Sequence, residues 1–159
     1  MLPQLGIWGE GGGQAVATAR KPRETMVILY DRFNLPEDIF EIVFSTSQQN
    51  IVARELIKYM ANNKGEITKT EMSLFATKLH DGAYETTLDE GQYKGKKVKL
   101  SYNKRQFYDR ILTPMKAMGL IDYDLYKKTY KISTKFSQDM MKIGLQWKQE
   151  LRKHGFEGQ

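Results

Sequence analysis

Arg105 and Gln106 carry forked hydrogen-bond donors and stand together at the head of a strongly periodic run. Phe107, Ile111, Met115 and Met118 follow at i, i+4, i+8 and i+11, the spacing of one apolar stripe on a helix. With that stripe turned inward, a helical wheel puts Arg105, Gln106, Asp109, Thr113 and Lys116 on the outer face and Arg110 at its border. Lys104 falls on the inner side. Ser101 or Asn103 is placed to cap the helix. Arg and Gln suit the guanine and adenine edges that a duplex presents in its major groove, and Arg110 can reach phosphate. Asp109 opposes a polyanion unless it accepts from cytosine or pairs with Arg105 or Arg110; the pair is the expectation.

A second basic group lies at Lys127-Lys128. Leu120, Tyr123 and Tyr126 on one limb are expected to face Tyr130 and Ile132 on the other, which makes a short hairpin with the two lysines at its tip. Gly119 ends the preceding helix in a left-handed cap. Lysines so placed meet phosphates or a minor groove, and phosphate contacts position a protein without reading sequence. Lys96, Lys97 and Lys99, with Lys94, form a third group in the segment 80–100. Tyr102, Tyr108 and Tyr123 have rings able to stack on single-stranded bases, but at helical spacing core filling is the favoured reading.

Charge follows the same division. Residues 1–45 hold four Lys/Arg against six Asp/Glu, whereas residues 46–159 hold twenty-one against thirteen. The basic excess therefore belongs to the half with the helix and hairpin. Enzymatic chemistry has little to build on. His80 and His154 lack metal-ligand spacing and no catalytic triad can be assembled around them. Asp122 and Asp124 fit a salt-bridged hairpin better than a metal site. No cofactor or metal is expected. The absence of cysteine fits a reducing compartment. The longest apolar run, Met26–Tyr30, has five residues, too few for a membrane span or a secretory segment. A cytoplasmic protein with no membrane partner is the expectation.

The elements that must position these groups are legible in outline. Residues 1–24 read as a flexible arm. Its Gly9–Gly13 run lacks the Gly-Lys-Ser/Thr of a phosphate loop, while Arg20, Lys21 and Arg23 could follow a DNA backbone. Pro36, Glu37 and Asp38 suit a helix start, with Ile39, Phe40, Val43 and Phe44 buried. A clearer helix runs over 48–62 with Val52, Leu56, Tyr59 and Met60 on one side. Gly65-Glu66-Ile67 is a three-residue link. Thr68-Lys69-Thr70-Glu71 is a capping box and opens a helix with Met72, Phe75, Ala76 and Leu79 inward. Residues 80–100 read as an inserted β-hairpin or ordered loop. Pro114 predicts a kink near Thr113 or a division into two helices. Ser137 is expected to cap a last helix, Gln138 to Lys153. Met140, Ile143, Trp147 and Leu151 mark one side of it, a surface suited to a dimer seam or to closing the core.

The order of helix 48–62, strand 66–67, helix 69–79, helix 103–118 and hairpin 120–133 resembles a winged helix-turn-helix domain over about 90 residues. The fragment FYDRILTPMKAMGLIDYD…KKTYKIS is similar to the Gly-Leu-Ile end of recognition helices in bacterial and archaeal transcriptional regulators and in plasmid or phage replication proteins. The resemblance implies a mostly α fold with a small β-wing, spanning 25–136, plus an extra C-terminal helix in 137–159. It also implies duplex DNA contacts by Asn103, Lys104, Arg105, Gln106, Arg110, Lys127 and Lys128. Lys96, Lys97 and Lys99 would add to them from the insertion. The insertion and Pro114 depart from the simple pattern. Sequence-specific double-stranded DNA binding, by a homodimer, is the leading expectation. A winged helix used for protein interaction, or a single-strand or RNA binder, is the alternative.

Overall fold

Side-chain caps place the first helices. The Asp38 carboxylate accepts from Phe40 N at 3.0 Å and starts α1 (Ile39–Val43), three residues after the proline that marks the start in sequence. Thr46 accepts from Gln49 N at 3.2 Å and opens α2 (Ser47–Asn62). The expected capping box is present. Thr68 Oγ1 accepts from Glu71 N at 3.1 Å, and Glu71 accepts in return from Thr68 N at 2.9 Å, opening α3 (Lys69–His80). The computed structural model describes residues 4–5, 31–89 and 93–156. The glycine run 9–13, the cations Arg20, Lys21 and Arg23, and the apolar run Met26–Tyr30 lie outside the described residues.

Among the described residues six strands form two small sheets. In the first, β1 (Gln4–Leu5) runs parallel to β4 (Lys97–Leu100), and β4 pairs antiparallel with β3 (Tyr84–Thr87), giving the order β1-β4-β3. Within the segment 80–100, β3 and β4 are thus paired as antiparallel strands. Two residues of the expected flexible arm are strand, because the outer edge of β4 offers backbone groups to pair with. In the second sheet β2 (Glu66–Thr68), β5 (Ile121–Asp124) and β6 (Thr129–Ile132) lie in the antiparallel order β2-β6-β5.

The periodic run becomes one continuous right-handed path in three parts: α4 (Lys104–Gln106), a π-helical stretch (Phe107–Leu112) and α5 (Thr113–Ala117). Thr113 N donates to the carbonyl of Tyr108, five residues back, and Thr113 Oγ1 donates to the same oxygen at 2.8 Å. In that register the next carbonyl, at Asp109, would need the N–H of residue 114. Proline has none, so the wide turn ends and the ordinary helix resumes. The expected discontinuity at Thr113 is thus a change of register. The wide turn also adds Leu112 to the buried row of Phe107, Ile111 and Met115, while Met118 caps the end of α5 at 39% exposure.

The core lies where α2, α3 and the π-helical stretch meet the two sheets. Val52, Leu56 and Met60 pack with Met72, Phe75, Leu79, Phe107 and Ile111, with Ile67 and Ile121 from one sheet and Val98 and Leu100 from the other. Phe75 is the hub. Its ring lies 5.2 Å from Tyr59, 5.0 Å from Tyr84 and 5.6 Å from Phe107. Burying such a ring stabilises the fold by about 3 kcal/mol. On α1, Arg54 of α2 pairs with Asp38 and covers the Phe40 ring at 4.7 Å.

The last helix differs from expectation at its start. It is α6 (Lys135–Lys153), so Ser137 lies inside it and donates to the carbonyl of Thr134 rather than capping. Its first turn is anchored by Phe136 N, which donates to the carbonyl of Gly119 at 3.1 Å. Gly119 adopts φ +79°, and a Cβ there would come within 3.2 Å of Phe136 N. Only glycine fits both demands. No side chain of α6 is buried.

Candidate nucleic-acid interface

The helix of interest begins at a double cap. Asn103 Oδ1 accepts from Gln106 N at 3.0 Å, and His80 Nδ1, at the end of α3, accepts from Lys104 N at 3.1 Å. Two amide hydrogens that the helix itself cannot use are thus satisfied. Asn103 therefore acts first as a cap, and its side-chain oxygen is committed.

Lys104 turns back into the fold. Its ammonium donates to Thr77 Oγ1 at 2.9 Å and to Ser73 Oγ at 3.3 Å, tying α4 to α3. Arg105 points the other way, with its side chain 92% exposed and its Nε 3.8 Å from Asp109 Oδ2. The expected pair is present, and exposed pairs of this kind are worth under ~1 kcal/mol, so a stronger partner can displace it. Arg105, Asp109, Thr113 and Lys116 form an exposed row along the helix, whereas Gln106 and Arg110 are half-buried beside it.

This row runs towards the β5–β6 hairpin. Lys116 Nζ lies 6.0 Å from the centre of the Tyr123 ring, a cation–π contact, and Tyr123 packs on Tyr130 at 4.6 Å. Asp124 Oδ1 accepts from Tyr126 N at 2.9 Å and from Lys127 N at 3.0 Å. Those backbone donors, Lys127's first, hold its carboxyl below the usual range. Lys127 and Lys128 are exposed in the turn as expected. The strand register is different from expectation: Ile121 faces Ile132 and Tyr123 faces Tyr130, so Tyr126 leaves the limb and joins the turn. Leu120 is half-buried, and Ile121 takes the core position.

Lys97 and Lys99 sit on β4 of the other sheet, with Lys96 in the bend just before it. Lys97 and Lys96 are exposed, and Lys99 lies 3.9 Å from Glu85. This hairpin is clasped to α2. Lys58 Nζ donates to the carbonyl of Thr87 at 2.8 Å and lies 3.3 Å from Asp89. Beneath it Glu55, 3% exposed, accepts from Thr86 Oγ1 at 2.8 Å and Tyr84 OH at 3.4 Å. Burial pushes the Glu55 carboxyl up, opposed by the Thr86 hydrogen bond and the Lys58 charge. Burial and the neighbouring Glu55 push the Tyr84 phenol up. The sequence held one clue to this clasp, since Glu55 shares a helical face with Val52, Leu56 and Tyr59. His80 as a cap left no such clue.

Among the described residues no group of three His, Cys, Asp or Glu is placed to hold a metal ion, and no helix is long and apolar enough to cross a membrane. No protein-family model, curated protein or solved structure matches this chain.

Proposed function

We propose that this chain is a sequence-specific double-stranded DNA-binding protein of winged helix-turn-helix type, serving as a transcriptional regulator or a replication-origin protein in the cytoplasm. In this reading α2, α3 and α4–α5 are the three helices, α4–α5 is the recognition helix and β5–β6 is the wing. One observation carries it: the exposed Arg105–Lys116 row is joined through the Lys116–Tyr123 contact to a hairpin tipped by Lys127 and Lys128. The row presents base-reading groups, and the tip presents phosphate-binding charge. Gln106 and Arg110 flank the row, with Lys96, Lys97 and Lys99 as a separate basic group.

The same reading makes the protein a homodimer through α6. Phe136, Met140, Ile143, Trp147 and Leu151 recur every three or four residues, and Trp147 is 60% exposed. On a helical wheel Asp139 and Glu150 border one edge of this stripe, while Lys148 and Arg152 lie towards the other. Asp139 pairs within the helix with Lys135 and Glu150 with Lys153, so the charges at this edge are already matched and the apolar stripe is what a second copy would bury.

Site selection on random duplexes tests the reading. Enrichment of a defined sequence is the expected result, with Arg105→Ala weakening binding to it by roughly tenfold, the worth of a good bidentate base contact. Asp109, exposed in the middle of the row, favours the second reading, a protein-interaction module. Failure to enrich any sequence, together with no loss on Arg105→Ala, would give the case to that module.

A further inference from the structure

We propose that the tip of the β5–β6 hairpin is a wedge for the minor groove of duplex DNA, in which Leu125 and Tyr126 enter between base pairs. The proposal rests on the duplex-binding reading above and adds a distortion of the DNA to it.

Hairpin turns are ordinarily made of small, polar or glycine residues. This one is Leu-Tyr-Lys-Lys, with Leu125 75% and Tyr126 98% exposed. Scattered single apolar residues on a surface need no explanation. Two adjacent large ones at the apex of a hairpin are different, because nothing else among the described residues covers them. The apex is also held in shape. Asp124 Oδ1 fixes the backbone of Tyr126 and Lys127, and Lys128 stands at φ 54° in the left-handed region. The carbonyl of Lys128 accepts from Lys69 N, at the start of α3, at 2.9 Å. The tip is therefore oriented before any partner arrives, which lowers the ordering cost of binding.

The charge around the tip selects the partner. Lys127 and Lys128 follow the wedge directly, Lys69 is bonded to its base, and Lys131 is exposed on β6. Of the nearby carboxylates, Asp124 is occupied by backbone N–H groups, Glu71 accepts from Thr68 N, and Asp122 and Glu66 stand on either side of Lys131. An apolar apex ringed by lysines complements a groove whose floor is stacked bases and whose walls are phosphates. Apolar side chains inserted there unstack a base step and bend the duplex towards the major groove. Pyrimidine–purine steps such as TpA, which unstack most readily, are the expected site.

The test uses the full chain and a duplex of about 30 base pairs, long enough to report a bend. It carries a fluorophore at each end and 2-aminopurine at a central TpA step. Anisotropy reads binding, energy transfer reads bending, and 2-aminopurine emission reads unstacking. Wild type should raise both transfer and emission. Leu125→Ala/Tyr126→Ala should bind with the same salt dependence but about tenfold more weakly, with neither signal. Tyr126→Phe, which keeps the ring, should retain both. The exposure of these side chains leaves the fold intact, checked by an unchanged melting temperature. Binding by wild type without bending or unstacking overturns the wedge alone, as does a double alanine variant that still bends. No anisotropy change with wild type overturns the duplex reading and the wedge together.

Discussion

His80 Nδ1 accepts the backbone N–H of Lys104 at 3.1 Å, so the last residue of α3 caps the first residue of α4. Two helices separated by the β3–β4 hairpin are thereby joined end to start, and the Lys104 side chain reinforces the joint at Thr77 and Ser73. The β3–β4 segment does not loosen the helix pair, because its ends are tied together by this contact. The accepting nitrogen must be unprotonated to serve. Loss of the cap in His80→Ala should lower stability by about 1 kcal/mol. Urea unfolding measures it, and His80→Asn, which restores a short acceptor, should recover part of the loss.

Glu55 gives the fold a pH signature. Its folded-state pKa is raised, so between the ordinary carboxyl range and the folded value the native state holds a proton that the unfolded chain has released. Stability from this group therefore falls as pH rises through that window and stays lower above it. Glu55→Gln keeps an oxygen for the Thr86 and Tyr84 hydroxyls without the charge. The variant should match wild type at acid pH and become the more stable of the two at neutral pH. Urea unfolding at several pH values checks this; a Gln variant less stable at pH 7 would mean that the ionised clasp to Lys58 dominates.

Most of what positions the site could be read from local patterns. The buried residues of α2 and α3 recur at helical spacing, the Thr68–Glu71 box marks its own helix start, and Gly119 marks its left-handed cap. The rest depends on contacts distant in sequence. Phe107, Ile111 and Met115 are buried at four-residue steps that suit either kind of turn, so the wide turn at Phe107–Leu112 shows in the Thr113–Tyr108 bond and in Pro114 rather than in periodicity. The start of α6 is set by the Gly119 carbonyl, and the placement of Glu55 by Thr86, thirty-one residues on. Hairpin register moved Tyr126 from a limb to the apex because Asp124 closes a turn there. Patterns of residue type reveal faces; they do not reveal which distant atom completes a cap.

Phe75 bridges these parts, and its loss should be severe. Phe75→Ala leaves Tyr59, Tyr84 and Phe107 facing a cavity, at a cost of about 3–5 kcal/mol. Thermal unfolding should show a large drop or a chain that no longer folds cooperatively.

The dimer reading is tested at α6. Ile143→Asp/Trp147→Asp places charge on the stripe without touching the core, since no side chain of this helix is buried. Sedimentation should show a dimer for wild type and a monomer for the variant, with the unfolding of the body unchanged. A wild type that stays monomeric at high concentration would remove the seam.

If the hairpin and helix meet a DNA duplex, as proposed, the phosphates they contact set the salt dependence of binding. Anisotropy titrations of a random-sequence duplex across a series of salt concentrations give a slope of log affinity against log salt of about −0.9 per phosphate contacted. Replacing Lys127 and Lys128 by alanine should flatten that slope by roughly one to two units, with the fold unchanged. A slope that is the same in both proteins would remove the hairpin lysines from the interface, and no binding by wild type at low salt would mean that the protein does not bind duplex DNA.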